Sequence, residues 1–234
     1  MKNQYFGDIN DYKKYGLLRL LSRQGELETA ICWILTQDDD KTDGRRIQYL
    51  EQTEKWKGYD PILFECLREL VIESRVRAVS ALEQSDILPN CRFYSEIIED
   101  NLVSRQRFFR KFLDFARGAD LVFFDPDNGL EVKSVPMGRK KSSKYVYWSE
   151  VEATYSAGHS LLIYQHLPRR PRETFIHNIV SRFHTITGAR RVFSYCTDHV
   201  VFFLFPRPEH EKFFIRHDVR ISHRWGNLIS VVEH

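Results

Sequence analysis

Apolar and polar positions along this chain fall into blocks of changing period, and the blocks predict helices alternating with strands. Asp8 is placed to cap a helix over roughly 9–24, with Leu17, Leu18 and Leu21 as its apolar stripe and Gly25 as its stop. Thr29 to Thr36 is a continuous apolar run of strand length, the pattern of a strand buried on both faces. It opens into a polar loop over 37–44. Asp60-Pro61 predicts a helix start, after which Leu63, Leu67, Leu70 and Val71 share a face. Residues 76–90 fit helix and strand equally, and Arg92 to Tyr94 reads as a short strand. A helix over about 101–117 carries Phe108, Phe109, Phe112 and Phe115 and ends at Gly118.

Asp120 to Asp125 is the clearest buried strand of the second half. Its turn-forming sequel, Asp-Asn-Gly, also allows a hairpin of 120–125 against 130–135. Ser149 to Glu152 fits a capping box, predicting a short helix to about Gly158. Ser160 to Gln165 is another buried strand, followed by a basic loop. Phe175, Ile179, Phe183 and Ile186 give a helix over about 172–187. Arg191–Cys196 and Val200–Phe205 read as strands of a hairpin closed by Thr197-Asp198-His199. The order predicts one three-layer α/β domain over 1–234. Its sheet is mostly parallel and Rossmann-like, with helices on both faces and a helical insertion at about 45–90 after the first strand. A C-terminal hairpin adds an antiparallel strand at one edge.

Composition narrows the class. Seventeen Phe and eleven Tyr spread along the chain supply a core throughout. A net charge of +3 does not by itself imply a nucleic-acid partner. Cys32, Cys66, Cys91 and Cys196 are far apart, without zinc-type spacing, so they read as reduced thiols in a cytoplasmic-type compartment. Met1 to Asp11 is too polar for a secretion signal, and no apolar run is long enough to span a membrane. Oligomeric state is not legible.

Candidate chemistry gathers at strand ends, where open α/β sheets bind ligands. The first strand ends in Thr36-Gln37-Asp38-Asp39-Asp40, the middle one in Asp125-Pro126-Asp127-Asn128-Gly129, and the next in Gln165-His166. If these strands are neighbours, one crevice collects carboxylates, an amide and an imidazole. Each piece also reads blandly, as a solvated acidic loop, a turn and a loop histidine.

At Asp125-Pro126-Asp127-Asn128 the sequence resembles the Asp/Asn-Pro-Pro-aromatic signature of adenine-N6 methyltransferases. The layout resembles the bacterial J-type methyltransferases of large-subunit ribosomal RNA, which open with a segment like Gly7 to Lys14, carry a helical insertion and end in a hairpin. The chain is also similar to a bacterial family, with no activity to carry over, that shares Tyr5-Phe6-Gly7-Asp8, Lys14 to Arg19, Asp125 to Glu131 and Ser143-Lys144-Tyr145. The methyltransferase resemblance implies S-adenosylmethionine as cofactor, beside Thr36, Asp38, Asp40 and Gly44. It implies that Asp125 and Pro126 hold the amine of a flipped base. Asp127 stands in place of the second Pro and Asn128 in place of the aromatic, and no glycine-rich turn follows the first strand.

Three functions compete. In the first, a methyltransferase-like protein acts on nucleic acid through Asp125, Asp127, Asn128, Lys144 and His166, with phosphates held by Arg139, Lys140, Lys141, Arg169, Arg170 and Arg172. In the second, a nuclease or phosphohydrolase binds Mg²⁺ or Mn²⁺ through Asp125 and Asp127, with Lys144 or His166 assisting. A variant of it uses Asp120 with Glu131-Val132-Lys133 and requires the hairpin over 120–135. The third is a non-catalytic nucleic-acid-binding module.

Overall fold

The structure is a computed structural model and describes residues 1–22, 26–39 and 44–234. Gly25 and Asp40 lie outside the described residues, and so do the helix stop and the cofactor contact expected of them. Helix α1 (Ile9–Leu21) starts where the Asp8 side chain accepts the Asn10 N–H at 3.0 Å. Strand β1 (Thr29–Cys32) follows, then the short helices α2 (Thr53–Trp56), α3 (Pro61–Arg68) and α4 (Val79–Glu83), then β2 (Cys91–Tyr94). Asp60 caps α3 by accepting the Leu63 N–H at 3.2 Å. Asn101 caps α5 (Leu102–Ala116), which leads to β3 (Leu121–Phe124). Two short strands, β4 (Gly129–Leu130) and β5 (Tyr145–Val146), pair in parallel outside the main sheet. The chain continues through α6 (Trp148–Ser156), β6 (Ser160–His166), α7 (Arg172–Thr187), β7 (Phe193–Cys196), β8 (Val200–Phe205), α8 (Glu211–Trp225) and β9 (Ser230–Glu233).

The main sheet runs β2-β1-β3-β6-β8-β7-β9. β2, β1, β3 and β6 are parallel neighbours, whereas β8 is antiparallel to both β6 and β7, and β9 is antiparallel to β7. Alternation along the strands sorts side chains to two faces. Ile31, Leu121, Phe123 and Leu162 pack in one cluster with α1, α3 and α8, and Ala30, Cys32, Val122, Phe124 and Ile163 pack in the other with α5, α6 and α7. The α/β class, the parallel centre and the helices on both faces follow the expectation. Residues 53–83 supply the helical insertion, and Leu63, Leu67 and Leu82 bury it against the α1 side. Among the described residues no helix is long and apolar enough to cross a membrane.

Four expectations need correction. The first strand stops at Cys32 instead of Thr36, because Ile34 turns to φ +46° and only an isolated bridge from Leu35 to Ile97 continues the ladder. The capping box is shifted: Glu150 accepts the Tyr147 N–H at 2.9 Å, so the helix starts before Ser149. The hairpin of 193–205 is neither terminal nor at an edge. β8 is buried along its whole length and lies inside the sheet, as its unbroken apolar sequence suits, and α8 and β9 follow it. Finally, β3 is flanked by β1 and β6, so no hairpin forms over 120–135. Asp120 lies at the amino end of β3, bonded to the Glu28 N–H, and Glu131 lies past its carboxyl end, paired with Arg182 at 2.9 Å.

Candidate functional site

From β1 the chain passes to β2 on one side and returns to β3 on the other, so the sheet order reverses between β1 and β3. The crevice beyond their carboxyl ends is where such sheets open for ligands. A cavity of about 710 Å³ lies there, lined by Asp125, Pro126, Asp127 and Asn128 after β3, by Tyr164 and His166 of β6, by Asp8, Asp11 and Lys14 of the α1 start, and by Met1, Tyr5, Gly44, Arg45 and Arg46.

The floor is a buried ion network. Lys14 is 2 % exposed, and its ammonium contacts Asp125 Oδ2 at 2.6 Å and Asp11 Oδ1 at 2.7 Å. The rings of Tyr15, Trp33 and Tyr164 surround the same nitrogen at 5.1, 5.7 and 6.0 Å. Asp11 Oδ2 also accepts the Gly7 N–H and the Tyr15 hydroxyl. A second cation, the Met1 amine, pairs with Asp127 Oδ1 at 2.8 Å and donates to the carbonyls of Asp125 at 2.9 Å and Ile34 at 3.2 Å. Lys144 adds a longer contact to Asp127 Oδ2 at 3.6 Å, and Thr36 Oγ1 donates to the same oxygen at 3.3 Å.

Burial and paired charge compete for the protonation of this floor. It raises the carboxyls of Asp11 and Asp125 above the ordinary carboxylate value, because the lysine they share offsets only part of the lost hydration. Burial pushes Lys14 down, but Asp11 and Asp125 outweigh it and hold the ammonium above the usual lysine range. Burial also raises Asp127, but the Met1 amine and Lys144 more than reverse it, so this carboxyl ends below its usual value. Burial, then the Asp125 charge, keeps the Tyr164 hydroxyl protonated well above the phenolic range.

The segment after β3 is fixed by backbone pairing. Asn128 N–H donates to the Lys144 carbonyl at 3.0 Å, and its carbonyl accepts the His166 N–H at 3.2 Å. Asn128 therefore joins the two strands that follow and precede the basic loops. Gln165 sits beneath, its amide oxygen accepting the Leu130 N–H at 2.8 Å and its amide nitrogen donating to Asn128 O. Gly129 has φ +116°, and a Cβ there would fall on the Gln165 amide. On the other side, Arg105 of α5 is fully buried and clamps Glu150 through both oxygens while donating to the carbonyls of Ser142 and Tyr145. Asp100 accepts the N–H groups of Lys141 and Ser143.

The expected site residues separate into three groups. Asp125, Asp127, Asn128, His166 and Gly44 line the cavity, with Lys144 beside Asp127. Thr36 and Asp38 instead tie down the amino-terminal segment, Thr36 through the Met1 carbonyl and Asp38 through the Gln4 N–H at 3.1 Å. Arg139, Lys140, Lys141, Arg169, Arg170 and Arg172 are exposed and do not line the cavity, and Arg172 donates to the Asp198 carbonyl. Asp11, Lys14, Tyr164, Arg45 and Arg46 were not expected in the site. The signal for the first two was an acid and a lysine at i and i+3 behind a helix cap, on a helix otherwise rich in core residues.

No family model matches the chain, and no curated protein matches it. A solved structure from Legionella pneumophila str. Philadelphia 1, described under the family label DUF519, matches at 10 % identity with a TM-score of 0.48, over 98 % of this chain and 97 % of that one.

Proposed function

We propose that this chain is a methyltransferase-like α/β protein that acts on nucleic acid, taking a nucleotide into the crevice between β1 and β3. One observation carries the reading: the Asp125-Pro126-Asp127-Asn128 segment forms the wall of the cavity where the sheet order reverses. That reversal also supports the Rossmann-like part of the reading. The chemistry of the opening suits a polyanion. Arg45, Arg46 and His166 stand in the lining, Lys144 is beside it, and both exposed basic loops run from the strands that Asn128 joins. The Tyr5 and Tyr164 side chains in the lining give a base apolar surface to pack on.

Two expected partners fit poorly with the residues as they stand. Asp125 and Asp127 each hold a cation of the chain itself, so a divalent metal would have to displace Lys14 and the Met1 amine. Among the described residues no three acid, histidine or cysteine side chains converge as a ligand set. S-Adenosylmethionine meets a different obstacle. Met1 lines the cavity and is buried, and the Lys14 ammonium lies 3.7 Å from its sulfur, so a sulfonium placed there would face a like charge.

The test is fluorescence anisotropy of single-stranded RNA and DNA oligonucleotides against the intact chain over a range of salt. Binding should weaken linearly in log salt, and Arg45→Ala with Arg46→Ala should reduce the slope by roughly 0.7 for each phosphate of a single strand that is no longer neutralised. Absence of binding to either oligonucleotide at about 50 mM salt would sink the reading.

A further inference from the structure

We infer that the face formed by α3, the end of α1 and α8 is the contact surface of a two-fold dimer of this chain, with α8 of each copy laid against α3 of the other. On α8, Lys212, Arg216, Arg220 and Arg224 follow one another at i, i+4, i+8 and i+12, with rungs about 6 Å apart along the axis. All four are exposed, and among the described residues none has a carboxylate partner. Arg224 Nε donates to the Tyr59 carbonyl at 2.6 Å, which fixes that side chain without neutralising it. The acids of the helix are engaged elsewhere, Glu211 with Arg191 at 3.6 Å and Asp218 with the Tyr195 hydroxyl at 2.7 Å. Like charges at i and i+4 destabilise a helix, so the ladder is stabilised by acids brought from outside.

The α3 side of the same face carries such acids. α3 continues into a π-helical turn over Glu69–Glu73, so Glu65, Glu69 and Glu73 follow one another at i, i+4 and i+8. Arg68 pairs with Glu65 at 3.5 Å and with Glu73 at 3.1 Å, whereas Glu69 and Asp86 are exposed and have no cation partner among the described residues. Arg19 of α1 marks the middle of the face. It lines both a groove of about 650 Å³ toward α8 and one of about 410 Å³ toward α3. Each groove also exposes apolar surface. Val219 on the α8 side is 72 % exposed, more than any other large apolar residue described, and Ile62 on the α3 side is 66 % exposed.

A two-fold rotation about an axis near Arg19 exchanges the two halves of the face. The basic helix of each copy then meets the acidic helix of its partner, and the two contacts are identical. A second copy is the occupant that suits both halves. α8 set against α8 would oppose cations with cations. A nucleic-acid strand drawn to α8 would be repelled by the unpaired acids beside α3. A membrane surface finds no apolar stripe to take up, because α8 turns Phe214, Ile221 and Trp225 into the core. The crevice between β1 and β3 stays open in such a dimer, since Asp8, Asp11 and Lys14 lie at the opposite end of α1 from Arg19 and Leu20. The inference therefore stands apart from the nucleic-acid reading.

Analytical ultracentrifugation tests it, on the intact chain and on two charge-reversed variants. One carries Arg216→Glu with Arg220→Glu, and the other carries Glu69→Arg with Asp86→Arg. The intact chain should sediment as a dimer at about 50 μM and low salt. Like charges set against each other should raise the apparent dissociation constant of either variant about hundredfold or more. Mixed in equal amounts, the two variants should form a dimer again, because an acidic α8 then meets a basic α3 at one contact and a basic α8 meets an acidic α3 at the other. Recovery on mixing also shows that both variants are folded. The inference is overturned if the intact chain is a monomer under these conditions or assembles beyond a dimer. It is equally overturned if either variant alone still dimerises, or if circular dichroism shows both variants folded and their mixture stays monomeric. A monomeric intact chain whose oligonucleotide binding is weakened by Arg216→Glu with Arg220→Glu would assign the ladder to nucleic acid instead. Oligonucleotide binding by the intact chain, measured separately, decides the nucleic-acid reading whatever the state of assembly.

Discussion

Replacing Lys14 by Met removes the central cation of the floor while keeping much of the side chain's volume. Two buried carboxylates, Asp11 at 2.7 Å and Asp125 at 2.6 Å, then lose their shared partner. Removing one member of a buried ion pair costs about 3–5 kcal/mol, because the other charge is left without compensation. A domain of ordinary stability has only about 5–15 kcal/mol in hand. The cost depends on pH in a defined direction. Burial already raises both carboxyls in the native protein, and loss of Lys14 raises them further. In the variant, the native state therefore binds protons more readily than the unfolded chain, and stability relative to the parent recovers as pH falls. Each unit of additional upward shift corresponds to about 1.4 kcal/mol. Urea unfolding at pH 7.5 and pH 5.5 measures this: the loss should be full at the higher pH and clearly smaller at the lower. Adding Asp125→Asn to Lys14→Met should restore part of the stability at pH 7.5, since one of the stranded charges is removed. A loss below about 1 kcal/mol, or one of equal size at both pH values, would refute the idea that the floor is a mutually compensated network.

Three further outcomes follow from the same geometry. Arg105→Leu strands Glu150 and releases the Ser142 and Tyr145 carbonyls, so it should cost about 3–5 kcal/mol in urea unfolding and speed proteolytic cleavage within 139–144. Gly129→Ala forces a Cβ onto the Gln165 amide at a positive φ and should cost about 1–3 kcal/mol, read as a lowered urea midpoint at unchanged slope. Asp218 accepts the Tyr195 hydroxyl at 2.7 Å, and burial pushes its carboxyl up to about 6. A raised carboxyl makes the native state lose relative stability as pH rises from the ordinary value through 6, so Asp218→Asn should raise the melting temperature at pH 8 and leave it little changed at pH 4.

How much of this was legible in the sequence depends on whether the signal was local. The cap at Asp8, the Asp60-Pro61 start and the buried runs at 120–125 and 160–165 follow from side-chain period and capping chemistry alone, and the structure places strands there over Leu121–Phe124 and Ser160–His166. The last helix did not register because Phe214, His217, Ile221 and Trp225 make its buried face while charged residues crowd the rest. β9 escaped for a plainer reason. It is a mostly exposed edge strand, held by its backbone pairing with β7 more than by burial.

The candidate site divides along the same line. Asp125 and Asp127 could be singled out because a strand end announces itself, but the buried cations that pair with them, Lys14 and the Met1 amine, come from more than a hundred residues away, and no local pattern encodes that. An aspartate at the end of a parallel strand invites a metal or an amine in any reading of sequence alone. What decides its chemistry is whether something else already satisfies it. Here Lys14 and the Met1 amine do so, and both are delivered by the first turns of the chain rather than by the strand that carries the acids. Lys14 sat in plain view within a helix start, yet a lysine there reads as solvated. Only the burial of ten of the thirteen α1 residues turns it inward. The same fact explains why the strained Ile34 tolerates its conformation: the amino-terminal segment that packs over it returns an ion pair and three hydrogen bonds to the floor. The acids of this crevice are therefore already satisfied by the amino-terminal part of the chain, and any group that engages them must first displace Lys14 or the Met1 amine.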